Sequence, residues 1–229
     1  MTLKLVFLQV GEDPLTPLLV KSIKKQMPNA EIFQCSDAAT AKIAGVDHIS
    51  VCEGNRENLM TFRLAAFSQL KLDAPAAYID TDILFAKPCS IDALIKDCDV
   101  AVCRRTFARD ALINTSFRGM DLSEYQGRTL GEVYPYLASF NVTKNHQFWT
   151  ECLTELNGLD QKFHWWYGDQ EAIRNVIQRG RFRFRELEES DVSCLPECVN
   201  PNELPLAIHF KGQARKAGMP MAAKNLGIA

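Results

Sequence analysis

No stretch of this 229-residue chain is apolar over the ~20 residues a membrane-spanning helix needs; the longest runs are Leu3–Val10 and the acid-bearing Ile79–Ala86. The opening Met-Thr-Leu-Lys-Leu-Val lacks the charged and long apolar regions of a secretory leader. A cytoplasmic protein is therefore expected, with no integral membrane segment but compatible with peripheral attachment to a membrane. Charge of one sign is also missing. Lys and Arg number 26 against 28 Asp and Glu, a formal net charge of −2, so no global field steers the chain onto nucleic acid and no such partner is expected. Repeats and low-complexity stretches are absent, and 47% apolar residues at so low a net charge exclude disorder. C-x-x-C is missing although the chain holds 8 cysteines. Cys194 and Cys198 are spaced C-x-x-x-C with no nearby histidine pair, so no zinc is expected. Cys35, Cys52, Cys98 and Cys103 sit in or beside apolar runs and read as reduced core thiols.

What is present is a rhythm of strands and helices. Leu3–Gln9 is an apolar run of strand length, as a parallel strand covered on both faces requires. Asp13-Pro14 offers an N-cap with proline at the first helical position, and Leu15, Leu18, Leu19 and Ile23 stripe one face up to Met27-Pro28. Glu31–Cys35, His48–Cys52, Ala76–Ile79 and Asp99–Arg104 read as further strands, with helices over Leu59–Leu70 and Ser90–Lys96. This order predicts a mostly parallel, right-handed wound α/β sheet with flanking helices. The remainder is less regular. Phe107–Tyr134 is polar and glycine-punctuated and should cross the surface. Helical stripes resume at Phe148, Cys152 and Leu156, and again at Ala172, Ile173, Val176 and Ile177 before Gly180. Arg181–Arg185 alternates at period two and reads as a solvated, charge-protected edge strand.

Asp80-Thr81-Asp82 is the sharpest chemical feature. Fourteen aspartates give about one D-x-D by chance, so spacing alone proves nothing. Asp97-Cys98-Asp99 is such a second pair, between a helix end and a strand start, and reads as a solvated turn. Asp80 and Asp82 instead follow a strand's carboxyl end, where open α/β sheets bind ligands. Two carboxylates in one crevice repel each other unless a positive charge joins them, and a hard divalent cation suits them; the structural alternative is an Asx-type turn. Magnesium and manganese keep open positions for phosphate oxygens, which points to a diphosphate-bearing substrate. His209 ends an apolar run ahead of Lys211, Gly212, Arg215 and Lys216, so it could add a nitrogen ligand beside phosphate counter-charges. Imidazole tilts the metal preference toward manganese. Asp169-Gln170-Glu171 opens a helix after Trp165-Trp166-Tyr167. Asp169 there could simply cap the helix, and the aromatic run reads as core more readily than as a sugar-stacking platform.

Taken in order, these segments resemble the GT-A glycosyltransferases, especially the glycogenin and lipopolysaccharide galactosyltransferase family. Arg63-Leu64 and Ala77-Tyr78-Ile79-Asp80-Thr81-Asp82-Ile83-Leu84 are similar to that family's arginine helix and "YLDTDVL" strand. Gly168-Asp169-Gln170 resembles its late "DQ" element and His209-Phe210-Lys211-Gly212 its closing "HF-x-G" motif. The resemblance implies a Rossmann-like GT-A fold and a retaining hexosyltransferase that uses a nucleotide diphosphate sugar, with uridine as the base and manganese or magnesium as the cofactor. It implies that Asp80, Asp82 and His209 hold the metal. Arg63 and Asn141 would contact the donor, while Lys211, Gly212, Arg215 and Lys216 would grip its phosphates. Asp169 and Gln170 would lie beneath the sugar. One domain over residues 1–229 follows, with 1–105 as the nucleotide-binding half and 106–229 as the acceptor-side and closing half; the acceptor, whether glycan, lipid or protein, is not legible.

The chain departs from the family pattern in three places. Arg215 and Lys216 stand where the family has "KPW", the first strand ends Leu8-Gln9-Val10-Gly11 without an acid- or amide-rich loop, and Phe140-Asn141-Val142 lacks the glycine of "FN-x-G-V". Two other readings stay open: a non-catalytic nucleotide-sugar-binding module of the same fold, and a haloacid-dehalogenase-like phosphatase with Asp80 as nucleophile. The latter expects threonine or valine where Leu84 stands.

Overall fold

A computed structural model describes residues 2–228; Met1 and Ala229, the ends of the expected domain, lie outside the described residues. The first half runs β1 (Lys4–Gln9), α1 (Thr16–Gln26), β2 (Glu31–Ser36), β3 (His48–Val51), α2 (Leu59–Gln69), β4 (Ala76–Ile79), β5 (Ile83–Phe85), α3 (Ile91–Ile95) and β6 (Val100–Arg104). The second half adds β7 (Ser116–Phe117), β8 (Met120–Asp121), α4 (Leu130–Val133), β9 (Tyr136–Thr143), α5 (Gln147–Gly158) and α6 (Gly168–Gln178). It closes with β10 (Phe184–Glu188), α7 (Glu189–Val192), β11 (Ala207–His209), α8 (Gln213–Lys216) and α9 (Met219–Asn225). No helix among the described residues is long and apolar enough to cross a membrane.

Seven strands form the central sheet in the order β10-β6-β9-β4-β1-β2-β3. Its pairings are parallel except where β9 runs antiparallel between β4 and β6. The sheet is therefore mostly parallel and wound, and the carboxyl ends of β1, β4 and β6 share one edge with the start of β9. Alternation along the strands feeds two cores. Leu5, Phe7, Ala77 and Ile79 pack with Leu19, Ile23, Ile91 and Ile95 of α1 and α3. Val6, Ala76 and Tyr78 pack on the other face with Phe62, Phe67, Phe148, Trp149, Ile173 and Val176 of α2, α5 and α6. Helices thus cover both faces, which explains why β4 and β9 are buried at every position.

Two predicted boundaries move by more than one residue. The first helix starts at Thr16, not at Pro14, because the Asp13 carboxylate accepts the Leu15 N–H at 2.9 Å and closes a turn ahead of the helix; Pro17 takes the first-turn position. The arginine-rich strand is Phe184–Glu188 rather than Arg181–Arg185. The preceding segment is drawn out of strand pairing as Asp99 takes both the backbone N–H and the guanidinium of Arg183, and Phe182 packs on Phe148. Its arginines are dispersed: Arg181 pairs with Glu151, Arg183 with Asp99, and Arg185 donates to the Ala93 carbonyl. Asp99 is thereby an ion-pair anchor between β6 and the approach to β10, not a merely solvated turn.

Candidate functional site

Asp80-Thr81-Asp82 is the turn between β4 and β5. Asp80 N–H donates to the Ser139 carbonyl at 2.9 Å, which ties the turn to β9. The antiparallel pairing of β5 with β11 aligns Ile83 with His209, so a strand three residues long delivers an imidazole from 127 positions away. The Phe210 N–H closes the ladder on the Asp82 carbonyl at 2.8 Å.

His209 is 2% exposed and Asp82 8%. His209 Nε2 lies 3.1 Å from Asp82 Oδ1 and 3.6 Å from Asp80 Oδ2. Its Nδ1 lies 2.9 Å from Ser193 Oγ, whose own hydrogen goes to Ser139 Oγ at 3.0 Å, so Nδ1 donates and Nε2 is left facing the acids. One ligand atom from each of Asp80, Asp82 and His209 lies within 4.8 Å of the others. Two carboxylates and an imidazole held by a second hydrogen-bonded shell fit a divalent cation.

Cations crowd these acids. Arg63, from α2, places Nη1 2.8 Å from Asp80 Oδ1 and Nε 3.6 Å from Asp169 Oδ2. Lys216 Nζ sits 3.2 Å from Asp82 Oδ2. Burial raises the Asp82 carboxyl, but the hydrogen bond and charge of His209 and the charge of Lys216 outweigh it and hold its pKa below the ordinary value. Burial dominates at Asp169 and pushes its pKa up against the pull of Arg63.

A cavity of ≈ 590 Å³ opens beside the acids along the carboxyl edge of the sheet. Asp80, Asp82, Arg63, Asp169, Gln170, His209, Lys211, Gly212, Arg215 and Lys216 all line it. Arg215 is anchored to Glu197, and Lys211 keeps solvent contact. Partial desolvation beside the cavity and the nearby Arg105 charge press the Lys211 pKa down. Gly212 has φ +82°, a left-handed conformation that glycine adopts without strain.

Asn141 is not brought to the cavity. It is 0% exposed in β9, where its amide oxygen accepts the Cys103 N–H and its amide nitrogen donates to the Leu137 carbonyl, each at 3.0 Å. It fills a break in the β6–β9 register between Val102 and Cys103. The donor-binding role expected for it is corrected accordingly: both ends of the amide serve the backbone. Asn141→Ala should lower the free energy of unfolding by about 2–4 kcal/mol by stranding two buried backbone groups, measured by urea denaturation, with nucleotide affinity of the folded protein unchanged. Weakened nucleotide binding at unaltered stability would restore the donor role.

Two further expectations change. Asp169 is not the N-cap of α6; that position is Tyr167, at φ +58°, and Asp169 sits in the first turn with its carboxylate accepting the Gln170 N–H at 2.8 Å. The aromatic run is only partly core. Trp165 is 48% exposed, while Trp166 and Tyr167 form a cavity wall, Tyr167 stacked on Tyr134 and Trp166 carrying the Arg118 guanidinium 3.9 Å above its ring.

No family model and no curated protein matches the chain. Solved structures do match. The chain is similar to the glycosyltransferase GlyE of Streptococcus pneumoniae TIGR4, with a TM-score of 0.60 at 11% identity over 97% of this chain and 60% of that one. The likeness to the galactosyltransferase LgtC, solved with donor and acceptor sugar analogs, has a TM-score of 0.53 at 16% identity over 97% and 96% of the two chains. The chain has the GT-A fold. It spans only 60% of GlyE's length. The fold is shared beyond glycosyl transfer: a nucleoside-diphosphate-sugar pyrophosphorylase of Vibrio cholerae RC9 matches with a TM-score of 0.55 at 7% identity over 93% of this chain and 98% of that one.

Three features of this candidate site were missed from sequence: the Ser193–Ser139 pair behind His209, the Arg118–Trp166 stack, and Arg105. Only Arg105 carried a readable signal, a charged residue one position past a buried strand on the edge where ligands bind.

Proposed function

We propose that this protein is a metal-dependent glycosyltransferase that moves a hexose, with retention, from a uridine diphosphate sugar to an acceptor. The observation that carries the reading is the convergence of Asp80, Asp82 and His209 within 4.8 Å on the lining of the cavity. These three residues would hold manganese or magnesium, which when bound supplies charge neutralisation and Lewis acidity to a diphosphate leaving group. Lys211, the Gly212 backbone, Arg215 and Lys216 face the same space and add fixed positive charge where negative charge develops. Arg63 orients Asp80 and Asp169 by pairing with both. Asp169 and Gln170, which line the same cavity, serve the sugar, the Asp169 carboxylate as positive character grows on the ring and the Gln170 amide as a polar contact. Residues 1–229 act as one domain, the first half for the donor and the second for the acceptor and closure.

Saturating manganese with a uridine diphosphate hexose should raise the melting temperature of the protein. At a hundred times Kd the stabilisation is about 2.7 kcal/mol, or about 5–10 °C for a domain of this size. A flat response to every uridine sugar tried with manganese would sink the donor assignment. Products separate the neighbouring readings: glycosyl transfer or donor hydrolysis releases uridine diphosphate, pyrophosphorolysis yields sugar 1-phosphate, and a binding module shifts in melting but releases nothing. A phosphoenzyme trapped at Asp80 would favour the phosphatase.

A further inference from the structure

The buried Arg105 guanidinium does something that neither metal nor phosphate chemistry calls for. Arg105 follows β6 and is 5% exposed. Its backbone N–H donates to the Pro135 carbonyl at 2.7 Å and its Nε to the Tyr134 carbonyl at 2.8 Å. Its Nη2 donates to Gln170 Oε1 at 2.7 Å. Among the described residues no carboxylate lies within ion-pair distance of it. Glu189, the nearest acid by its effect, spends an oxygen on the Thr106 and Phe107 N–H groups at 2.9 and 3.0 Å. Burial lowers the Arg105 pKa, and Glu189 offsets that only in part. An unpaired buried cation is costly to fold, and the contact it maintains is to a neutral amide that lines the cavity.

We propose that Arg105 is a positioning residue: it grips Gln170 by the amide oxygen and turns the amide nitrogen toward the substrate. Arginine can only donate, so the oxygen must face it and the flipped amide is excluded. The Gln170 Nε2 has no protein partner among the described residues, while its backbone N–H is taken by Asp169. The left-handed Tyr167 and the first turn of α6 fix Gln170 from the backbone side, and Arg105 fixes it from the tip. A charge-assisted bond at the oxygen polarises the amide and strengthens its N–H groups as donors. Gln170 therefore meets a substrate oxygen as a hydrogen-bond donor, and its own oxygen, already bound to a cation, is a poor nucleophile.

The substrate side of this inference rests on the proposed glycosyl transfer, so its test has two arms. In the ligand-free protein, nitrogen-15 NMR should show the Gln170 side-chain amide away from the free-glutamine region, and Arg105→Met should return it there. Arg105→Lys keeps the charge for folding but cannot span Tyr134 and Gln170 together, and it should shift the same signal. In the second arm, Arg105→Lys and Gln170→Ala should each slow manganese-dependent release of uridine diphosphate about 10- to 100-fold through kcat, with the donor KM nearly unchanged. The double variant should be no slower than Gln170→Ala, because one residue acts through the other. Unmoved amide signals, or losses that multiply in the double variant, overturn the proposal. If the wild-type protein releases no uridine diphosphate, glycosyl transfer fails as a reading, and the amide signals still decide whether Arg105 holds Gln170.

Discussion

Asparagine in place of Asp82 is expected to cut metal-dependent release of uridine diphosphate about a thousandfold, a loss of about 4 kcal/mol of transition-state stabilisation, and to abolish the manganese-dependent rise in melting temperature. The reason is electrostatic. Asp82 is 8% exposed, and its two oxygens are divided between His209 at 3.1 Å and Lys216 at 3.2 Å. Those neighbours keep it ionised through the neutral range. An amide of the same shape keeps the packing but loses the negative charge a hard cation requires, and it can turn a donor toward the ion. Isothermal titration with manganese, alongside turnover on a uridine diphosphate hexose, separates loss of metal from loss of fold. Turnover within tenfold of wild type together with an undiminished manganese response would show that no metal is held there.

The second large effect comes from a missing side chain. Gly168 opens α6 directly before Asp169 and Gln170. A Cβ at Gly168 would drive into the Phe163 carbonyl oxygen and stand 2.8 Å from Leu156 Cδ1 and 3.0 Å from the Phe163 carbonyl carbon. Backbone cannot yield as a flexible side chain does, so either the 161–164 turn or the start of α6 must move. Gly168→Ala should therefore cost about 3 kcal/mol of stability, at the upper end of overpacking effects, which is about 6–12 °C in melting temperature. Turnover measured well below that temperature should also fall about 100-fold, because Asp169 and Gln170 are carried with the displaced turn. Gly158→Ala is the control: its Cβ would meet nothing within 4 Å, and its melting temperature should hold or rise slightly. Equal melting temperatures and turnover for wild type and Gly168→Ala would mean that α6 can shift freely, removing the rigidity assigned to the Gln170 wall.

The parts of the structure legible in the sequence were those governed by local rules. Apolar runs at strand length and stripes at helical spacing marked β1, β2, β4, α2 and α6, and the position of Asp80 just past a buried strand separated it from the otherwise equivalent Asp97 and Asp99. Long-range pairing was not legible. Nothing in Ile83-Leu84-Phe85 or Ala207-Ile208-His209 says that these three-residue strands meet, although their meeting brings His209 to the acids. Asn141 was misread for a related reason. Its donor role came from the likeness of Phe140-Asn141-Val142 to the family's "FN-x-G-V" strand, whereas its partners are a strand irregularity visible only once β6 and β9 lie side by side. The aromatic run was read as core because such runs usually are; Trp166 and Tyr167 do pack against a buried cluster but also line the cavity, and no sequence pattern marks the positive φ of Tyr167.

The β5–β11 pairing also sets a time for the site to exist. Both acids emerge from the ribosome in the first half of synthesis, but the imidazole arrives only after residue 209 has been added. A nascent chain can build much of its wound sheet while its cluster of carboxylates is still missing its nitrogen. Protein stalled short of that point would carry the acids of the cluster without the imidazole that β11 brings to them.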